Sequence, residues 1–259
     1  MNYWQDRMAQ AQTELSNKSI KTIEKQLKKY YLRAAKRSIA DFEATYNKLL
    51  ATVEKGKQPT PADLYKLDKY WEAQAQLRRE LQALGDKEIK FLSAAFETNF
   101  FEIYYSIAVP GETAAFNSID AVVAQQIINQ VWVADGKSWS QRIWEDTELL
   151  ADTLNSELIH CVTTGKKITE LKQLLQERFD VSYSRADALV RTEIAHIQTE
   201  SAKKRYQDYG IQEVEVWADK DERRCEVCGK LHQTKYLVGA PVPIPAHPRC
   251  RCCIVPVID

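Results

Sequence analysis

"CEVCGKLHQTKYLVGAPVPIPAHPRCRCC", Cys225 to Cys253, holds five of the six cysteines and two of the four histidines of a 259-residue chain. How it is read decides what kind of fold closes the sequence. Cys225 and Cys228 form C-x2-C, a spacing that lets two thiolates take adjacent corners of a tetrahedron. His247 and Cys250 form H-x2-C after residues 229–246 and supply the other two corners, with Cys252 and Cys253 as alternatives for the last position. Soft thiolates with one imidazole favour zinc over calcium or magnesium. Pro245 and Pro248 stiffen the second arm and reduce the entropy lost when the ligands converge. Four protein ligands would close the coordination sphere, so the expected zinc is structural. C-x2-C alone would say little; the pair of arms makes the pattern specific.

Competing readings of the same residues are weaker. The opening MNYWQDRMAQAQ has no apolar core and does not read as a signal peptide. No stretch approaches the roughly 18 apolar residues of a membrane helix, so no membrane partner is expected. The expectation is a soluble chain in a reducing cytoplasm, where paired cysteines hold metal more often than they form disulfides. No thiol stands beside an obvious base and orienting carboxylate, which argues against a reactive centre. A zinc deaminase needs H-x-E upstream of P-C-x-x-C; here Arg224 precedes Cys225 and no H-x-E occurs.

Thirty-six basic and 36 acidic residues balance to a formal charge of zero. No global field draws the chain to nucleic acid or membrane, and any such contact must come from a local patch. Only eight glycines and eight prolines in this length favour long helices. Apolar residues at helical spacing predict a first helix over 3–54, with Ile20, Ile23, Leu27, Tyr30 and Ala34 on one face. Lys21, Lys25, Lys28, Lys29, Arg33, Lys36 and Arg37 spread over the others. That basic run reads as a solvated face, or as an edge that meets DNA or an acidic partner. After Gly56, Thr60 and Pro61 cap a second helix carrying Leu64, Leu67, Trp71, Leu77, Leu81 and Leu84, expected to stop at Gly85. A third runs from Asp86 to Pro110–Gly111 with Ile89, Leu92, Phe96, Ile103 and Ile107 inward. Two more are expected over 118–132 and 140–164, then a short helix over 168–179 and a long one over 184–209, closed by Gly210. Gly136-Lys137-Ser138 lacks the glycine spacing of a phosphate loop. After Gly210, Val214 and Val216 alternate with Glu213, Glu215 and Trp217 in a strand-like period, and the tail beyond reads as irregular.

The expected fold class is therefore a mainly α N-terminal region followed by a small α+β C-terminal domain stapled by a Cys/His metal site. The boundary is placed at 139/140. Within the last long helix, Arg191, Glu193, His196 and Glu200 form a polar set, and Glu193 and His196 have the Glu-x-x-His spacing of di-metal bundles. Those bundles need a second copy, which is missing. A helix tied to the terminal domain by salt bridges is the expectation; a catalytic or metal role is the alternative.

With these residues in view, "RADALVRTEIAHIQTESAKKRYQDYGIQEVEVWADKDERRCEVCGKLHQTKY" and "PIPAHPRCRC" resemble the C-terminal domain of tailed-phage head morphogenesis proteins, the Mu F-like minor capsid proteins. The shared order is Arg191-Thr192-Glu193, Tyr209-Gly210, Trp217, Asp221 to Cys228, and His247 to Cys252. One departure is Leu231-His232-Gln233, where the family often has L-D-G, which makes His232 a further candidate ligand. The resemblance implies a non-enzymatic minor capsid protein in the virion, inside the capsid near the portal, and in the host cytoplasm during assembly. Its implied partners are the portal protein and the major capsid or scaffolding protein, with packaged DNA met through basic patches. It would assist head assembly, DNA packaging or ejection, residues 1–139 serving as the portal- or capsid-docking region. A zinc-stapled, non-specific nucleic-acid-binding module, gripping phosphates also through Arg249 and Arg251, is the alternative. A metal-dependent hydrolase using Glu193, His196 and Glu200 comes third.

Overall fold

The structure is a computed structural model that describes residues 3–52, 59–109, 119–218 and 224–258. Among the described residues, seven helices and three strands follow in the order α1 (Tyr3–Thr52), α2 (Pro61–Tyr65), α3 (Asp68–Ser106), α4 (Ala121–Ile128), α5 (Trp139–Thr164), α6 (Ile168–Asp208), β1 (Glu213–Trp217), α7 (Glu226–Leu231), β2 (Lys235–Leu237) and β3 (Cys253–Pro256). The fold is mainly helical, with a small antiparallel sheet near the C-terminus, as the composition and the change of period after Gly210 imply. Gly56, Pro110, Gly111, Ser118 and Asp221, which figured in the sequence reading, lie outside the described residues.

Several expected helix ends do not occur. Gly85 does not stop a helix: α3 runs through it without a break. A β-carbon at Gly85 would come 2.8 Å from Cζ3 of Trp144 on α5, so the glycine serves close helix packing. The true interruption comes earlier. Thr60 caps α2, its hydroxyl accepting the amide of Asp63 while the Asp63 carboxylate accepts the amide of Thr60, and the chain leaves helix at Lys66 and Leu67. This break resets the helical phase, so Tyr70 is buried and Trp71, expected inward, is 54% exposed. Likewise 168–179 and 184–209 are one helix, α6. Residues 180–183 contain neither Gly nor Pro, and the Ser182 hydroxyl donates to Asp146 while Tyr183 packs edge-on to Tyr31, so nothing there ends it. α4 is shorter than 118–132 and takes Asp120 as its cap.

The chain forms two compact units, each discontinuous in sequence. One comprises Lys25–Phe91 and Ser140–Ala186. Its core holds Tyr31, Phe42, Tyr46, Leu49, Tyr70, Leu77, Leu81, Leu154, Leu158, Leu175 and Phe179. Each such side chain contributes about 1.5–3 kcal/mol by leaving water. Glu88 is buried here, its carboxylate accepting the Tyr31 hydroxyl at 3.1 Å, and burial pushes its pKa up to about 7.

The other unit comprises Met1–Glu24, Leu92–Trp139 and Asp187–Asp259. Its sheet has the order β2-β1-β3, with Val214 opposite Tyr236 on one side and Pro256 on the other. Val214, Val216 and Ile254 pack with Ile103, Ile107, Ala202 and Tyr206. The alternation in β1 is not inside against outside, because Glu215 and Trp217 are buried too. Met8 of α1 covers that second face with Trp217, Cys253 and Val255, and the Trp217 indole donates to Glu215 at 3.0 Å. α1 also blunts the outer edge of β3. Gln12 donates to the Ile254 carbonyl at 3.0 Å and Gln5 to that of Pro256 at 3.0 Å, occupying acceptors that could recruit another strand.

The contact at Gly85 predicts that Gly85→Ala lowers stability by about 1 kcal/mol, because overpacking against Trp144 outweighs the gain in helix propensity. A urea midpoint that rises in the variant would contradict this, and Trp144→Leu in the same chain should relieve the loss.

Candidate metal centre

The C-x2-C arm sits on α7, a short helix where the sequence reading had irregular chain. Cys225 is the cap residue of α7 in extended conformation, and its sulphur accepts the amide of Cys228 at 3.3 Å. That hydrogen bond pulls the Cys225 thiol pKa down. The second arm brings in His247, Cys250 and Cys252. His247 Nδ1 lies 2.8 Å from the Pro248 carbonyl oxygen. A carbonyl only accepts, so Nδ1 carries the proton and Nε2 is left as the donor atom, facing Cys228 Sγ at 3.1 Å. The hydrogen bond to the Pro248 carbonyl raises the His247 pKa.

Two ligand groups result, Cys225–Cys228–His247 and Cys228–Cys250–Cys252, and Cys228 belongs to both. Within each, the donor atoms lie within 4.8 Å of one another. Cys228 and Cys250 sulphurs are 3.8 Å apart. Two thiolates on one tetrahedral zinc at about 2.3 Å would be separated by about 3.8 Å. The donor set therefore fits a metal ion. Cys250 is biased to thiolate, its pKa drawn down to about 5 by hydrogen bonding from the Cys252 thiol and by the amides of Cys252 and Ala246. Cys252 is driven up by the same contact, and Cys228 to about 12 by burial, so these two keep their protons until an ion displaces them.

Two other residues stay outside these groups. Cys253 is buried on β3 against Met8 and Trp217. His232 turns away: its Nδ1 accepts the Ala218 amide at 3.3 Å, and its ring meets Trp217 edge-on. The next residue, Gln233, takes φ 64°, the left-handed conformation that a glycine would adopt freely, and its amide donates to Val216 at 2.8 Å. The turn therefore forms without the glycine, with about 1–2 kcal/mol of steric cost.

The polar set of α6 organises this site from outside it. Asp187 accepts Arg191 at 3.1 Å and Arg249 at 2.9 Å, and Arg191 also pairs with Glu24. The Thr192 hydroxyl accepts the amide of Arg249 at 3.1 Å, fixing the second metal arm where Arg249 itself takes φ 63°. Glu193 accepts the Trp132 indole at 3.0 Å, and His196 stacks on Trp132 at 4.4 Å. Glu200 pairs with Lys203 at 3.1 Å. Among the described residues, Glu193, His196 and Glu200 form no group able to hold an ion. Asp187 and Trp132 were missed from sequence because Arg249, for the first, and Glu193 and His196, for the second, lie far along the chain. The basic residues Lys21, Lys25, Lys28, Lys29, Arg33, Lys36 and Arg37 all lie exposed on α1 and take no part in this site.

The arms, the strand and the polar helix fall within one matched segment of the chain. Residues 152–255 match the family described as Phage Mu protein F like protein. That match supports a phage head morphogenesis family. No curated protein and no solved structure matches the chain. No described helix is long and apolar enough to cross a membrane.

Two outcomes follow from this geometry. Removing the metal with a chelator should raise hydrogen exchange in 224–258 while α3 and α5 stay protected, and Cys225→Ser should do the same. Cys253→Ser should leave metal content unchanged; unchanged exchange on chelation would contradict the assignment. The second outcome concerns His196, whose Nε2 is buried without a partner and whose pKa burial lowers to about 4, with Lys203 adding to the effect. The folded form binds this proton less readily than the unfolded chain does, at about pH 6.5. Stability is therefore whole above that value and falls as pH drops towards 4, by about 2 kcal/mol between pH 7.5 and pH 5. His196→Phe keeps the stack on Trp132 and should flatten that slope in denaturation series; an equal slope in both proteins would contradict it.

Proposed function

We propose that this protein is a minor capsid component of a tailed phage, held at the portal on the procapsid interior, which assists head assembly, DNA packaging or ejection. The match of residues 152–255 to the Mu F-like family carries the reading. The arrangement of the metal arms supports it, because a site closed by thiolates and one imidazole makes a compact, rigid element suited to recognition. Zinc is the ion we assign, from the softness of its donors. It acts as a staple and opens no position to substrate, so the protein works by binding partners rather than as an enzyme. Residues 1–139 supply the portal- or capsid-docking region and 140–259 the head morphogenesis domain; the compact unit that contains the metal arms draws on both stretches. Portal, major capsid and scaffolding proteins are the partners.

Co-sedimentation with portal and with procapsids, at low and moderate salt, tests the reading. Saturable, salt-resistant incorporation at a few copies per particle is the expected result. Failure to incorporate at any salt would overturn it.

A further inference from the structure

The outward face of α1 between Lys25 and Arg37 has a charge pattern that solvation alone does not explain. Lys25, Lys28, Lys29, Arg33, Lys36 and Arg37 are all exposed, and no Asp or Glu occurs between Lys25 and Ala40. Ile23, Leu27, Tyr31, Ala34, Ala35 and Ser38 occupy the buried face. Lys25, Lys29, Arg33 and Arg37 follow one another at four-residue intervals and so form a continuous row, with Lys28 and Lys36 flanking it. Neighbours in such a row stand about 5–6 Å apart, well inside the Debye length of about 10 Å at 0.1 M salt. Their repulsion is only partly screened and opposes the helix. Only Arg37 has an ion-pair partner among the described residues, Glu80 at 3.7 Å. In a chain of 36 basic and 36 acidic residues, a solvated face would mix the two signs.

We propose that this face of α1 binds the phosphate backbone of duplex DNA without regard to sequence. The row spans about 18 Å of helix, a length over which a duplex presents about ten phosphate charges. Lysines predominate, and they act as point charges on phosphates rather than as forked readers of bases. Of the two arginines in the metal arm, Arg249 is held by Asp187, so the arm offers fewer free cations than the row on α1. The inference rests on the charge of this helix and not on the capsid reading, and its failure would leave that reading untouched.

Binding of the full chain to a labelled mixed-sequence duplex of about 25 base pairs, followed by fluorescence anisotropy across a salt series, provides the test. The expected log–log salt slope is about −3 to −5. Reversal of Lys28, Lys29, Arg33 and Lys36 to Glu should weaken binding at least about 100-fold at 0.1 M salt. The matched control, Lys48, Lys69, Lys87 and Lys90 to Glu, changes net charge equally and should cost under about 5-fold. The single change Lys29→Glu, which turns two repulsive contacts attractive, should raise the melting temperature while binding weakens. Absence of binding, equal losses in both variant sets, or tighter binding to poly-glutamate than to duplex at matched salt would each overturn the proposal, the last in favour of an acidic protein segment.

Discussion

The Cys228 sulphur is where two arms of chain meet: 3.1 Å from His247 Nε2 and 3.8 Å from Cys250 Sγ, with Cys225 one helical turn away. Three strands of only three to five residues could not persist alone, since so few ladder bonds and side chains offset little of the ordering entropy. The arms close the long excursion from β2 to β3 and hold β3 against β1. Other interactions depend on that closure: the Arg249 amide reaches Thr192, its guanidinium reaches Asp187, and Gln12 and Tyr206 converge on the Ile254 carbonyl. Without the sulphur cluster these contacts would have to order a proline-rich tail by themselves.

What could be read from sequence followed the range of the interaction. The C-x2-C and H-x2-C arms are local patterns, and the structure brings Cys225, Cys228, His247, Cys250 and Cys252 together in two overlapping groups. Helices α1 and α5 and strand β1 follow periodicities contained within themselves. Errors arose where a distant side chain overrode a local signal. Gly85 reads as a stop because the sequence does not reveal Trp144 lying against it, and Trp71 reads as core because the break at Lys66 and Leu67 carries no glycine or proline. The α6 polar set was visible, but its purpose was not, since Glu24, Trp132 and Arg249 come from remote parts of the chain.

The buried polar groups divide into those that hold the fold and those that burden it. Gln12, Ser16 and Gln198 are buried but hydrogen-bonded, Ser16 to Gln198 at 2.5 Å, and they fix α1 against α6 within the sheet-bearing unit. His196 and Glu88 each leave one atom without a partner, and burial shifts both away from their charged forms. The opposed shifts penalise the unit containing His196 as pH falls below about 6.5, and the unit containing Glu88 as pH rises from about 4.5 to about 7. The cationic row on α1 is a third burden, tolerated on a helix whose opposite face is firmly buried.

X-ray absorption at the zinc edge of the purified chain, with metal content measured on the same sample, is the most direct test of the central claim. One zinc per chain is expected, in a shell of three sulphurs at about 2.3 Å and one nitrogen at about 2.0 Å. A metal-free protein whose tail cysteines are joined as disulfides by mass spectrometry, yet whose terminal sheet is fully protected from exchange, would contradict it.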